Sequence, residues 1–172
     1  MSLKESLALL FKFSLIYTFL LFLQSCYSIA ANEQLTNIVY ISPISERSGM
    51  LIRNSLLPYF PNQDTTTTKF IVNIKLQNKN NLYLTNRYGY ATKGEANLIS
   101  TLVITDRDTK KVLLTLTSRF KENFNIEPTG YAARKTKEFA EETNAEQASK
   151  DIKIKIYSFL QRYRSSLNSK SK

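Results

Sequence analysis

The chain contains no histidine and a single cysteine, Cys26. Imidazole metal sites and the Ser-His or Cys-His arrangements of nucleophilic catalysis therefore have no residues from which to be built, and most hydrolase chemistry goes with them. One cysteine also excludes an intramolecular disulfide. Glycine is scarce: Gly49, Gly89, Gly94 and Gly130 are the four, and none of their spacings is that of a phosphate-cradling loop. Acidic side chains are outnumbered, 14 Asp and Glu against 24 Lys and Arg. Glu138, Glu141, Glu142 and Glu146 fall on one predicted helix among lysines, which is the pattern of a solvated face rather than of a carboxylate pair poised for acid and base work. The sequence thus assigns no catalytic residue, no metal ligand and no cofactor other than lipid, and the reading is that of a protein that is not an enzyme.

What is present is enough for one folded domain. Hydrophobic residues make up 42% of the chain and charged residues 22%, too apolar for a disordered polymer. The first 25 residues divide as a secretory signal does, with Lys4 and Lys12 ahead of the uncharged run Phe13 to Leu23. That run has 11 residues, whereas a bilayer-spanning helix needs about 20. The next four, Leu23-Gln24-Ser25-Cys26, resemble the lipobox of bacterial lipoproteins. In that reading Cys26 is the lipidation site and carries a diacylglycerol and an N-acyl chain that hold the protein to a membrane. Acylation would also remove the one thiol from an oxidising compartment. Tyr27, not Asp, follows Cys26, which by the common sorting rule implies the outer membrane, periplasmic side. Ser28-Ile29-Ala30 also satisfies the small-x-small rule for ordinary cleavage. The two readings differ in product: an acylated Cys26, or an unmodified N-terminus at Ala31 or Asn32.

The whole sequence divides into a signal peptide at 1–25, a lipidated linker at 26–36, a domain at 37–164 and a basic flexible tail at 165–172. Asn37 to Ser42 is β-branched and aromatic and is ended by Pro43, a first strand. Glu46 to Tyr59 follows with Ile52, Leu56, Tyr59 and Phe60 at helical spacing and is stopped by Pro58 and Pro61. Thr68 to Gln77 sets Phe70, Val72, Ile74 and Leu76 on one face and Lys69, Asn73 and Lys75 on the other, the alternation of a half-buried strand. A polar stretch, Asn78 to Asn86, then leads to two further strands, Lys93 to Thr105 and Lys111 to Phe124, joined through the DRDTKK turn. Ala132 to Tyr163 contains neither Gly nor Pro and reads as a long helix. The expected order is β-α-β-β-β-α, an α/β (α+β) two-layer sandwich: a four-stranded mixed sheet with two helices on one face. The core would be the Phe70 series with Leu98, Leu102, Ile104, Val112, Leu114, Leu116 and Phe120. On the opposite face Ile71, Ile99, Val103 and Leu113 alternate with threonines, with Arg119 and Lys121 at one end.

The net charge of +10 calls for an anionic partner or surface. Export argues against nucleic acid and leaves anionic lipids, phosphorylated glycolipids or an acidic protein. The same composition also suits a basic exported domain that adheres to envelope components without specificity.

Pro43-Ile44, Arg47, Gly49, Leu51, Arg53-Asn54 and Leu56 resemble the first helix of the lipopolysaccharide-assembly lipoprotein family, LptE, in its alphaproteobacterial form. The lipobox, Lys93-Gly94-Glu95-Ala96 opening a strand, the hairpin at Asp106 to Val112 and a terminal helix from about Tyr131-Ala132 support the likeness. The resemblance implies a non-enzymatic outer-membrane protein that plugs the large β-barrel LptD, helps it assemble and contacts lipopolysaccharide in transit. It places lipopolysaccharide-contacting residues near the connection between the second and third strands and just before the last helix, which here means Arg87 and Arg134, with Lys135 as an alternative. Lys93, Arg119 and Lys121 complete the basic set. Two departures stand out: Ser25-Cys26-Tyr27 replaces smaller surroundings of the acylation site, and a long C-terminal extension is absent. A second reading from another class is a periplasm-facing lipid-binding lipoprotein of an ABC-type transporter, which would need a closed apolar cavity.

Overall fold

The computed structural model describes residues 36–85, 87–88, 91–126 and 130–170; the signal, the lipobox and Cys26 lie outside them. The elements are β1 (Val39–Ile41), α1 (Arg47–Leu56), β2 (Phe70–Thr85), β3 (Ala91–Asp106), β4 (Val112–Asn125) and α2 (Gly130–Lys170). The sheet order is β1-β2-β3-β4. β1 runs parallel to β2, with α1 in the crossover that a parallel connection requires, and the other pairs are antiparallel. This is the mixed four-stranded sheet with two helices on one face that the residue pattern predicts.

Period-2 alternation decides which side is covered. Val72 and Ile74 of β2 stand across from Ile104 and Leu102 on β3, Phe70 begins β2 on the same face, and all five are buried. On α2 the buried positions are Ala140, Asn144, Ala145, Ala148, Ser149, Ile152, Ile156 and Leu160, a single stripe at helical spacing. α1 adds Ile52 and Leu56, one turn apart, and Phe60 follows just past the helix. Each fully buried aliphatic or aromatic side chain contributes about 1.5–3 kcal/mol. The stripe is graded in size. Ala140 lies over the far end of the sheet, where it packs with Ala96 and Phe124, while Ala145 and Ala148 join the main core. The large residues of the stripe fill the space around Phe60, Phe70 and Leu102. Phe70 meets Phe159 and Tyr163 edge-on, with centroids 5.1 and 5.0 Å apart.

Four segments depart from the expectation. α1 ends at Leu56, short of Tyr59, which is 44% exposed. β2 does not end at Gln77 but continues through the Asn-rich stretch to Thr85, in register from Asn78↔Leu98 to Thr85↔Ala91. Ladder hydrogen bonds, not burial, carry that half, and its amides reach the helical layer: Asn78 donates to Glu46, just before α1, at 2.6 Å and Asn80 to Glu141 of α2 at 3.1 Å. Val112, expected in the core, is 54% exposed. A bulge pairs Ile104 with Leu114 but Thr105 with Val112, so Val112 falls on the opposite side from Leu114. α2 does not stop at Tyr163 but runs to Lys170, and the hydroxyls of Ser165, Ser166 and Ser169 bond to carbonyls of the preceding turn.

One close approach governs the far end of the sheet. Gly94 faces Phe124 across β3 and β4, and a Cβ at Gly94 would lie 2.3 Å from the Phe124 ring. Gly94→Ala should therefore destabilise the domain by about 1–3 kcal/mol. Combined with Phe124→Leu, the loss should be clearly less than the sum of the single changes. Denaturant unfolding of the four proteins checks both statements.

Candidate functional site: the open face of the sheet

With α1 and α2 on one side, the odd-numbered residues of β2, β3 and β4 form the other. The registers set them in rows across the three strands: Asn73-Val103-Thr115, Lys75-Thr101-Thr117, Gln77-Ile99-Arg119, Lys79-Asn97-Lys121, Asn81-Glu95-Asn123 and Tyr83-Lys93-Asn125. The face is graded along its length. Ile71, Val103 and the 40%-exposed Leu113 lie toward the β1 end. Threonines occupy the middle, where the Thr101 and Thr117 hydroxyls are 3.2 Å apart. Lys75, Lys79, Lys93, Arg119 and Lys121 occupy the rest, against one carboxylate, Glu95.

Glu95 sits at the centre of the basic half. A shallow depression of ≈ 230 Å³ is lined by Lys79 and Asn81 of β2, Glu95, Asn97 and Ile99 of β3, and Arg119 and Lys121 of β4. Asn97 Nδ2 donates to Glu95 Oε1 at 2.6 Å, and Lys121 Nζ lies 3.3 Å from Oε2. These contacts, the Asn97 amide first and the Lys121 charge after it, hold the Glu95 carboxyl below its ordinary value. Glu95 thereby occupies part of the Lys121 charge. Lys79 and Arg119 have no carboxylate within ion-pair distance among the described residues. Such a surface can receive a multiply charged oxyanion by point charge from the lysines and by a two-pronged guanidinium contact from Arg119.

The six basic residues singled out in the sequence all lie in the half of the fold away from β1. Lys93, Arg119 and Lys121 share the open face. Arg87 is exposed in the β2–β3 turn, with its guanidinium 4.9 Å from the Tyr88 ring centroid. Arg134 and Lys135 lie on the first turns of α2, which Thr136 ties to the end of β4 through Asn125 O at 2.8 Å. Lys135 borders a second open depression, ≈ 370 Å³, with Phe124, Asn125 and the exposed Phe139, and is paired to Glu138 at 2.8 Å. Arg87, Lys93, Arg134 and Lys135 therefore gather at the far tip, with Arg119 and Lys121 inboard. Lys75 and Lys79 were not singled out. Alternation along β2 marks Lys75, but Lys79 joins the set only because β2 continues and pairs with β3.

Glu142 pairs with Arg47 of α1, Glu141 with Lys137 and with Asn80 of β2, and Glu146 with Lys150 one turn along α2. No group of three metal-ligating side chains occurs among the described residues, and no described helix is long and apolar enough to cross a membrane.

No family model and no curated protein sequence matches the chain. Solved structures do. A candidate lipoprotein from Caulobacter crescentus CB15 superposes with a TM-score of 0.59 at 13% identity, over 77% of this chain and 97% of its own. Lipoprotein B from Nitrosomonas europaea gives 0.58 at 13%, over 72% and 83%. The rare lipoprotein B of Shewanella oneidensis gives 0.54 at 12%, over 76% and 98%. At these identities the likeness is one of fold: the chain is similar to these lipoproteins in architecture over nearly their full length.

The lowered Glu95 value fixes the sign of a pH effect. Ionised Glu95 favours the folded state fully above the ordinary carboxyl value of 4.5, and that contribution is lost as pH falls through its lower folded value. In a carboxyl NMR titration, Lys121→Met should move the Glu95 midpoint up toward 4.5, whereas Lys135→Met should leave it in place.

Proposed function

We propose that this chain is a non-catalytic lipoprotein, anchored through acyl chains on Cys26 at the periplasmic side of the outer membrane. It acts as plug and assembly partner of the lipopolysaccharide-translocon β-barrel LptD and takes part in lipopolysaccharide transport and insertion. The observation that carries this reading is the open sheet face, where rows of threonine hydroxyls lead into five cations opposed by one carboxylate. Hydroxyls and amides suit a polar barrel lumen. Arg119 with Lys79 and Lys121, and the tip residues Arg87, Lys93, Arg134 and Lys135, suit the phosphates of a glycolipid. The absence of histidine, with the only cysteine assigned to the anchor, supports the non-enzymatic part. The fold shared with lipoproteins of Gram-negative bacteria supports the envelope location. The transporter-associated alternative needs a closed apolar cavity, and both depressions described above are open to solvent.

Affinity purification of the acylated protein from detergent-solubilised envelopes tests the proposal. A large β-barrel protein should be recovered with it. The pair Arg119→Glu and Lys121→Glu should lower that recovery about ten-fold or more, because reversed charges at a buried polar contact oppose docking. A folded preparation that carries lipid but never a barrel would overturn the barrel partnership.

A further inference from the structure

The end of the domain that receives the N-terminal linker is also the end where α2 overhangs the sheet. The amide nitrogens of Lys69 and Phe70 both donate to Ile38 O at 2.9 Å, which sets the start of β1 beside the start of β2. Arg107 N donates to Lys69 O at 2.9 Å and brings the β3–β4 turn to the same place. Lys69 Nζ donates to the Tyr163 hydroxyl and lies 4.9 Å from its ring centroid, so the last packed turn of α2 is there too. Nine residues lie between Cys26 and Thr36, a reach of at most about 35 Å. The sheet, with strands of 16 residues, is about 50 Å long. A chain anchored at Cys26 therefore keeps this end nearest the bilayer.

Beyond Tyr163, α2 continues for seven residues, about 10 Å of helix. Leu160 is buried and Tyr163 half-buried, while Leu167, next on the same stripe, is 50% exposed. Arg162 and Arg164 flank that stripe, and Lys110 and Lys111 stand on the adjoining turn, all four exposed. Carboxylates at this end are already engaged. Asp64 accepts from the Thr66 amide and hydroxyl, Asp106 accepts the Asp108 and Thr109 amides, and Asp108 pairs with Arg107 at 2.8 Å.

We infer that this end is a docking surface for an anionic phospholipid bilayer, with Lys110, Lys111, Arg162 and Arg164 on headgroup phosphates and Leu167 in the interface. The orientation rests on the anchor proposed above. A bilayer fits better than an acidic protein because an exposed leucine between long cationic side chains is the composition of an interfacial helix end, and because the linker delivers this end to the membrane. The contact would fix how the domain stands on its anchor and point the basic tip away from the headgroups.

The chain has no tryptophan, so one introduced indole is an unambiguous reporter. Acylated Leu167→Trp protein is reconstituted into vesicles of phosphatidylcholine brominated near the headgroup, with or without phosphatidylglycerol. The inference expects about a two-fold or greater loss of emission in the anionic vesicles only, since the attraction is to the charged surface. High salt, or reversal of the four cations to Glu, should restore the emission, and a Tyr88→Trp reporter at the far tip should not be quenched. Equal emission in both vesicle types, or quenching of the Tyr88→Trp reporter instead, would overturn it. Intact mass reads the anchor separately: no acyl mass on Cys26 would remove the lipoprotein reading. Unacylated protein mixed with anionic vesicles should still show salt-sensitive quenching, and none would overturn the docking surface.

Discussion

The packing of one stripe of α2 against one face of the sheet determines the rest of the molecule. Because side chains alternate with period two, covering Phe70, Val72, Ile74, Leu98, Leu102 and Ile104 leaves Ile71, Ile99, Thr101, Val103 and their neighbours on the other side. A slip of one residue would exchange the faces completely. The stripe resists that slip in two ways. Ala140 meets Ala96 and Phe124 at the far end, Ala145 and Ala148 follow within the main core, and Ile152, Ile156 and Leu160 come after them along the helix, so the size gradient fits one longitudinal setting. The buried Asn144 donates to Ala96 O at 2.8 Å, and a shift would strand both groups at a cost of about 1–3 kcal/mol.

Charge follows from this architecture. The covered face takes the apolar residues; on the helices Arg47, Lys137, Lys150 and Lys155 pair with Glu142, Glu141, Glu146 and Asp151, while other cations stand on the open face, the far tip and the overhang of α2. Carboxylates do not balance them evenly. Glu95 is the one on the open face, and Asp64, Asp106 and Asp108 are consumed in turns. Two basic regions therefore lie at different places along a sheet about 50 Å long: the far half of the open face with its tip, and the end beside the linker. Their distances from the proposed anchor differ accordingly.

Much of the fold was legible from local patterns. Phe70 to Leu76 alternates cleanly, the DRDTKK turn joins two strand runs, and Ala132 to Tyr163 lacks breakers. Each of these is a short-range signal. The extension of β2 to Thr85 was not legible, because Asn78, Asn80 and Asn81 have little strand preference and are held by pairing with residues such as Leu98, Ala96 and Glu95. Lys79 was missed with it. Val112 was misplaced because a bulge leaves no mark in composition. Among the six basic residues, the division into a tip group and an open-face pair depends on strand register, which the residue pattern does not carry.

The central claim is that the open sheet face, not the helical face, meets the barrel. Photo-crosslinking in intact cells tests it most directly, with the reactive residue placed at Thr101 in the middle of the open face or at Gln147, exposed on the outer side of α2. The account predicts an adduct with a large β-barrel protein from Thr101 and none from Gln147. An adduct from Gln147 with none from Thr101 would contradict it.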